Sequence, residues 1–107
     1  MGVSAAHVSA TLAKAGHPRA TEPCDYVSGF VVSVGDVDDL GSTVVVSYQD
    51  YMYDGDYSNR AHEIVGRICE EAFDGYTGTL RQAGYVVEDW RRYDGVRLGL
   101  FVTGREG

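Results

Sequence analysis

Cysteine is scarce in this chain, and so are the features of an exported protein. Cys24 and Cys69 are the only cysteines among 107 residues, too few and too far apart for the disulfide framework of a small secreted domain. The N-terminal segment MGVSAAHVSATLAKAG has no basic start and no long apolar core, so it does not predict a secretory signal. No apolar run approaches the length of a membrane span, and the expected location is the cytoplasm.

Positive charge is also sparse. The chain carries 16 acidic residues against 9 Lys and Arg, which gives a formal net charge of −7. Proteins that bind nucleic acid through its phosphates, or dock on anionic lipid, need clustered basic residues. The sequence therefore predicts no binding to nucleic acid or membrane, and it leaves a basic protein partner open.

Sequence signatures of catalysis are missing as well. No G-x-S-x-G motif occurs, and GYTGTLRQAG lacks the GK[ST] ending of a phosphate-binding loop. Glu88 and Asp89 are adjacent in a predicted strand, so their carboxylates point to opposite faces and do not form a pair. We expect no catalytic residue and no cofactor.

Two patterns resemble metal-binding sequences without matching them. His62 and Cys69 are spaced more widely than the C-x₂₋₄-C or H-x₃₋₅-H ligands of zinc, and His17 with Cys24 repeats that wide spacing. Residues 54–65 begin like a calcium-binding EF-hand loop but lack its glycine and its final bidentate glutamate. We expect no metal site, and a small enzyme or metal-binding protein remains an alternative.

Length and composition favour one globular domain. A chain of this length with 44% hydrophobic and 23% charged residues can bury a single core. The predicted domain covers residues 1–107, with 1–3 and 104–107 as frayed ends.

Two amphipathic helices are predicted. The first follows Ser4 as N-cap, carries apolar residues at helical spacing and ends at Gly16. The second begins after Asp56 or Ser58 and extends to a C-terminal glycine at position 84. Its apolar positions recur at helical spacing, namely Ala61, Ile64, Val65, Ile68, Ala72, Tyr76, Leu80 and Ala83.

Glycines leave the continuity of the second helix open. Gly75 and Gly78 each cost about 1 kcal/mol relative to alanine inside a helix. The pattern is compatible with one long helix or with two pieces broken near these residues.

Four strands alternate with these helices. Period-two patterns predict strands at Tyr26–Val34 and Thr43–Tyr48, and then at Tyr85–Arg92 and Val96–Thr103. The resulting order α-β-β-α-β-β indicates an α+β fold: a four-stranded, mostly antiparallel sheet with the long helix packed on one face.

The last two strands flank Asp94-Gly95, a strong hairpin signal. A two-residue loop would place Trp90 opposite Gly99, so that the indole covers the space a side chain would fill. The same register would bring Arg92 opposite Arg97.

The segment QDYMYDGDY, with its flanking Tyr48, combines tyrosines with acidic residues. Tyrosine is enriched at protein interfaces because it offers a large contact area at low entropic cost. The alternative is that some rings pack under the helix while the Asp residues solvate a loop. The predicted interaction surface adds the aromatic residues of the last hairpin and consists of Tyr48, Asp50, Tyr51, Tyr53, Asp54, Asp56, Tyr57, Trp90 and Tyr93.

The Ala-rich N-terminal helix, the valine-rich strands, YTGTLRQAGYVVE and LGLFVTG together resemble small proteins of actinobacteria and their phages. The α-β-β-α-β-β order is also similar to that of phage tail-terminator and head–tail joining proteins. The first resemblance implies no activity and no functional residues, and it places a phage-encoded chain in the host cytoplasm. The second implies a role in virion assembly.

These observations favour a non-enzymatic protein-interaction module, such as an accessory protein of a phage or an actinobacterium, that binds a host or self partner through the Tyr/Asp loop. A homo-oligomer is compatible with this expectation. The alternative is a component of virion assembly.

Overall fold

The computed structural model of the chain describes residues 3–20, 28–37, 41–50 and 58–105. These residues form two helices and four strands in the predicted order, which confirms the α+β class. The elements are α1 (Ala5–Lys14), β1 (Gly29–Val37), β2 (Gly41–Gln49), α2 (Asn59–Gln82), β3 (Tyr85–Arg91) and β4 (Arg97–Arg105).

The strands form one sheet in the order β1-β2-β4-β3, and every neighbouring pair is antiparallel. The β1–β2 and β3–β4 hairpins are joined at the centre, where Val44–Val46 pair with Leu100–Val102. Both helices pack on the same face, so the fold has one helical layer and one sheet layer.

Helix α1 begins and ends as the sequence predicts. The Ser4 hydroxyl accepts a hydrogen bond from the backbone N–H of His7 at 3.4 Å, and Val8 and Leu12 are buried. Gly16 adopts φ 94°, a left-handed conformation that side chains other than glycine's rarely allow.

Helix α2 is continuous over 24 residues, which settles the alternatives left by its glycines in favour of one helix. Ser58 is the N-cap, with its hydroxyl accepting from the Ala61 N–H at 3.1 Å. A methyl group at Gly75 would lie 3.2 Å from the ring of His17, so this glycine allows close packing against the segment that follows α1. The His17 Nε2 lies 2.8 Å from the Thr79 hydroxyl, which fixes the same contact.

The core lies between the helices and the sheet. Its buried side chains come from all six elements, and the expected alternation in β1 is confirmed because Phe30 is buried while Val31 and Ser33 are exposed. The core cluster comprises Val8, Leu12, Phe30, Val44, Val46, Phe73, Tyr76, Leu80, Tyr85, Val87, Leu100 and Val102.

Strand boundaries differ from the prediction at both ends of the sheet. β1 begins at Gly29 instead of Tyr26, and residues 21–27 lie outside the described part of the chain. Pro18–Ala20 runs parallel to the start of β1, and a methyl group at Gly29 would overlap the Pro18 carbonyl. At the other end, β4 extends to Arg105, beyond the predicted limit of Thr103.

The β3–β4 hairpin has a longer loop than predicted. The Arg92 N–H donates to the Val96 carbonyl at 2.8 Å around a three-residue turn, in which Gly95 has φ 88°. Arg97 therefore pairs with Arg91, and the predicted pairing with Arg92 is wrong. A register shift after this pair brings Trp90 opposite Gly99, as expected.

Candidate interaction surface

The predicted interaction surface is only partly within the described residues. Tyr51, Tyr53, Asp54, Asp56 and Tyr57 belong to segment 51–57, which lies outside them. The remaining four members, Tyr48, Asp50, Trp90 and Tyr93, occupy three different places in the fold.

Tyr48 lies near the end of β2 on the helix side of the sheet and packs against the core. Burial raises the pKa of its phenol, the charges of Asp50 and Cys69 raise it further, and a hydrogen bond with Ser28 lowers it. The apolar body of this ring therefore stabilises the fold.

The partly buried Tyr48 and Cys69 lie near the buried Tyr76, where α2 packs on the sheet. Burial is the largest cause of the raised pKa of Tyr76, about 12, and the charges of Tyr48 and Cys69 add to it. The pKa of the Cys69 thiol is raised by burial first and then by Asp50 and Glu70. A thiol with a raised pKa stays protonated at neutral pH and is a poor nucleophile.

His62, the other half of the considered zinc pair, is exposed on α2. Within the described ranges, no three His, Cys, Asp or Glu side chains are grouped so that they could hold a metal ion. The same residues contain no helix long and apolar enough to cross a membrane.

Tyr93 stands at the tip of the β3–β4 turn with 99% of its surface exposed. The turn beneath it is held by Arg92, whose guanidinium donates two hydrogen bonds to the Asp94 carboxylate at 3.0 and 2.6 Å. This hydrogen bonding is the largest cause of the lowered pKa of Asp94, about 2. The isolated ring projects from the fold without a neighbouring aromatic residue in the described hairpin.

Trp90 lies on the opposite face of the sheet from both helices. Its indole stacks on Phe101 with the ring centroids 5.3 Å apart and the planes inclined by 28°. It also covers Gly99, where a methyl group would lie 2.8 Å from the Val46 carbonyl oxygen and 3.3 Å from the indole. Forty per cent of Trp90 remains exposed.

We call the sheet surface away from the helices the open face. Along each strand its residues alternate with the core residues, because successive side chains point to opposite sides of a sheet. Glu88 is the only charged side chain among the described residues of this face. Those residues are Val31, Ser33, Thr43, Val45, Ser47, Gln49, Val86, Glu88, Trp90, Gly99 and Phe101.

The exposed residues of the open face lie mainly on its edge strands β1 and β3, whereas Val45 and Phe101 at its centre are partly exposed. Thr43, near the start of β2, is only 1% exposed, and Val31 on the edge strand is 38% exposed. Ser33 pairs with Val45 and Val45 pairs with Phe101, so these three side chains form a continuous row across β1, β2 and β4. Glu88 extends this row on the edge strand β3, where its carboxylate remains exposed to water.

The charged residues of the helix side are arranged differently. Arg97 is the centre of an ion-pair cluster that joins β4 to α2 and β3, with only 9% of its side chain exposed. Its guanidinium contacts Asp74 at 3.0 Å, Asp89 at 3.2 Å and Glu70 at 3.5 Å. The charge centre also lies 5.9 Å from the Phe73 ring. These ion pairs hold the hairpin against the long helix.

The interaction surface predicted from the sequence includes Trp90 but no other residue of the open face. The missed signal is the run of three apolar residues in each central strand, Val44–Val46 and Leu100–Val102. A strand with one solvated face alternates apolar and polar residues, whereas consecutive apolar residues indicate apolar side chains on both faces. Val45 and Phe101 are the middle residues of these runs and lie on the open face.

No protein-family model, no curated protein and no solved structure matches the chain.

Proposed function

We propose that the chain is a non-enzymatic protein-interaction module that presents the open face of its sheet to a protein surface that is itself uncharged and apolar. The observation that carries this proposal is the stack of the exposed Trp90 on the partly exposed Phe101, on a face with one charged side chain among its described residues. In a chain with 23% charged residues, the solvated side of an antiparallel sheet is normally polar.

The chemistry of this surface favours a protein over other ligands. Aromatic residues are enriched and charges are depleted at the centre of protein interfaces, where fully desolvated anchors contribute most of the binding energy. Trp90 is already held by Phe101 and Gly99, so binding it costs little side-chain entropy. Serine side chains between the apolar ones, at positions 33 and 47, can donate hydrogen bonds to a partner.

The proposal is tested by photo-cross-linking from two positions on β1. A benzophenone side chain replaces either Val31, on the open face, or Val34, which is 63% exposed on the helix side of the same strand. After irradiation in a lysate of the cells that make the protein, we expect protein adducts from position 31 and far fewer from position 34. Equal labelling from both positions, or none from position 31, would contradict the proposal.

A further inference from the structure

We infer that the open face binds a second copy of this chain, with the two sheets packed face to face around a two-fold axis. This inference rests on the proposed function and names its partner. Closed two-fold dimers are the commonest assemblies of soluble proteins, and each copy contributes the same surface to them.

Charge is the first argument for a second copy. The chain has a net charge of −7, so two copies repel each other over most relative orientations. The exposed part of the open face is uncharged except for Glu88 on the edge strand, so two copies can meet there without burying like charges. A strongly basic or acidic partner would gain no complementary charge from this face.

The position of the apolar residues on the open face is the second argument. The β3–β4 half carries the stacked rings of Trp90 and Phe101. The β1–β2 half carries Val31 and Val45 at the same levels of the sheet, because Val31 pairs with Ser47 and Val45 pairs with Phe101.

A two-fold axis that runs between the sheets and parallel to the strands brings these halves together. Because the strand order is β1-β2-β4-β3, this rotation lays β3 and β4 of one copy over β1 and β2 of the other. The register of the sheet then places Trp90 over Val31 of the other copy and Phe101 over its Val45, so apolar side chains meet each other. Sheets pack in this way about 10 Å apart, with interdigitating side chains and a small angle between their strands.

Sedimentation velocity on three matched variants tests the inference. Val31→Glu and Ser33→Glu each place a charge on the open face of β1, and Val34→Glu places the same charge on the other side of that strand. For the unmodified chain we expect the mass to rise from 11.6 kDa to twice that value between about 1 and 200 µM. The two open-face variants should raise the dimer dissociation constant about tenfold or more, because the two-fold axis introduces each charge twice. Val34→Glu should leave it unchanged.

Each outcome separates this inference from the proposed function. A monomeric mass at every concentration overturns the dimer, and the same dissociation constant in all three variants overturns its interface on the open face. If adducts from position 31 then contain a different protein, the interaction module stands and the second copy is wrong. Adducts between two copies of the chain, together with a weakened dimer in Val31→Glu and Ser33→Glu, support both. Circular dichroism on each variant ensures that a monomeric mass belongs to a folded chain.

Discussion

Replacing Arg97 by alanine is expected to destabilise the fold by about 2 kcal/mol. The guanidinium is nearly buried and contacts three carboxylates on two other elements, so the change removes hydrogen bonds to charged groups. Such bonds contribute about 1.5–3 kcal/mol each, and unpairing a buried charge costs about 3–5 kcal/mol. Asp74, Asp89 and Glu70 are partly exposed and regain water, which reduces the total toward the lower figure.

The same change removes packing as well as charge. Phe73 is buried beneath the Arg97 guanidinium, and alanine leaves part of this ring uncovered. Burial lowers the pKa of Arg97, but the hydrogen bond that Arg97 donates to Asp74 and the charges of Asp89, Glu70 and Asp74 raise the pKa more, so the net shift is upward. The arginine therefore stays charged, and its loss leaves three neighbouring acids without their shared cation.

Urea unfolding followed by circular dichroism measures this effect, because urea does not screen charges. An entropy of unfolding of about 2.1 cal/mol/K per residue converts 2 kcal/mol into a fall in Tm of about 9 °C for this chain. Arg91→Ala is the matched control. Arg91 contacts Asp89 at 3.3 Å and Glu70 at 3.6 Å but is 41% exposed, so its loss should cost less than about 1 kcal/mol. Equal losses for the two variants would refute the argument from burial.

Further predictions concern two glycines and one tyrosine. Gly99→Ala should lower stability by about 1–3 kcal/mol in urea unfolding, because the new methyl group would lie 2.8 Å from the Val46 carbonyl. Gly78→Ala should instead raise the free energy of unfolding by about 0.5–1 kcal/mol, since nothing lies within 4 Å of a methyl group at that position on α2. A rise for Gly99→Ala, or a fall for Gly78→Ala, would contradict this packing. Stability should also fall as the pH rises from 10 toward 12, because the unfolded phenol of Tyr76 loses its proton first. The complete loss of stability is about 2–3 kcal/mol. If Tyr76→Phe loses as much stability between pH 10 and pH 12 as the unmodified chain does, other groups cause the pH dependence.

The sequence predicts the order of elements because each is specified by local signals. Ser4 and Ser58 begin the helices, and Gly16 and Gly84 end them in the left-handed conformation. Strand alternation placed Phe30 in the core for the same local reason. These features depend on hydrogen bonds and side-chain directions within a few residues.

Features set by contacts between distant residues were not predicted. The close packing of Gly75 in α2 against the ring of His17 joins residues that are far apart in the sequence. Likewise, Arg97 pairs with Arg91 because of the three-residue turn, which the Arg92–Asp94 ion pair stabilises, and because the register shifts between Trp90 and Arg91. The open face also depends on a contact between distant residues, because the pairing of β2 with β4 places Val45 beside Phe101.

Trp90 reports directly on the proposed interface, because it is the only tryptophan of the chain and lies on the open face. Its fluorescence emission and its quenching by acrylamide can be followed as the protein is concentrated. If the open face binds a second copy, the emission shifts to the blue and quenching falls as the mass doubles. A spectrum and a quenching constant that stay the same while the mass doubles would contradict the claim, because the copies would then meet on another surface.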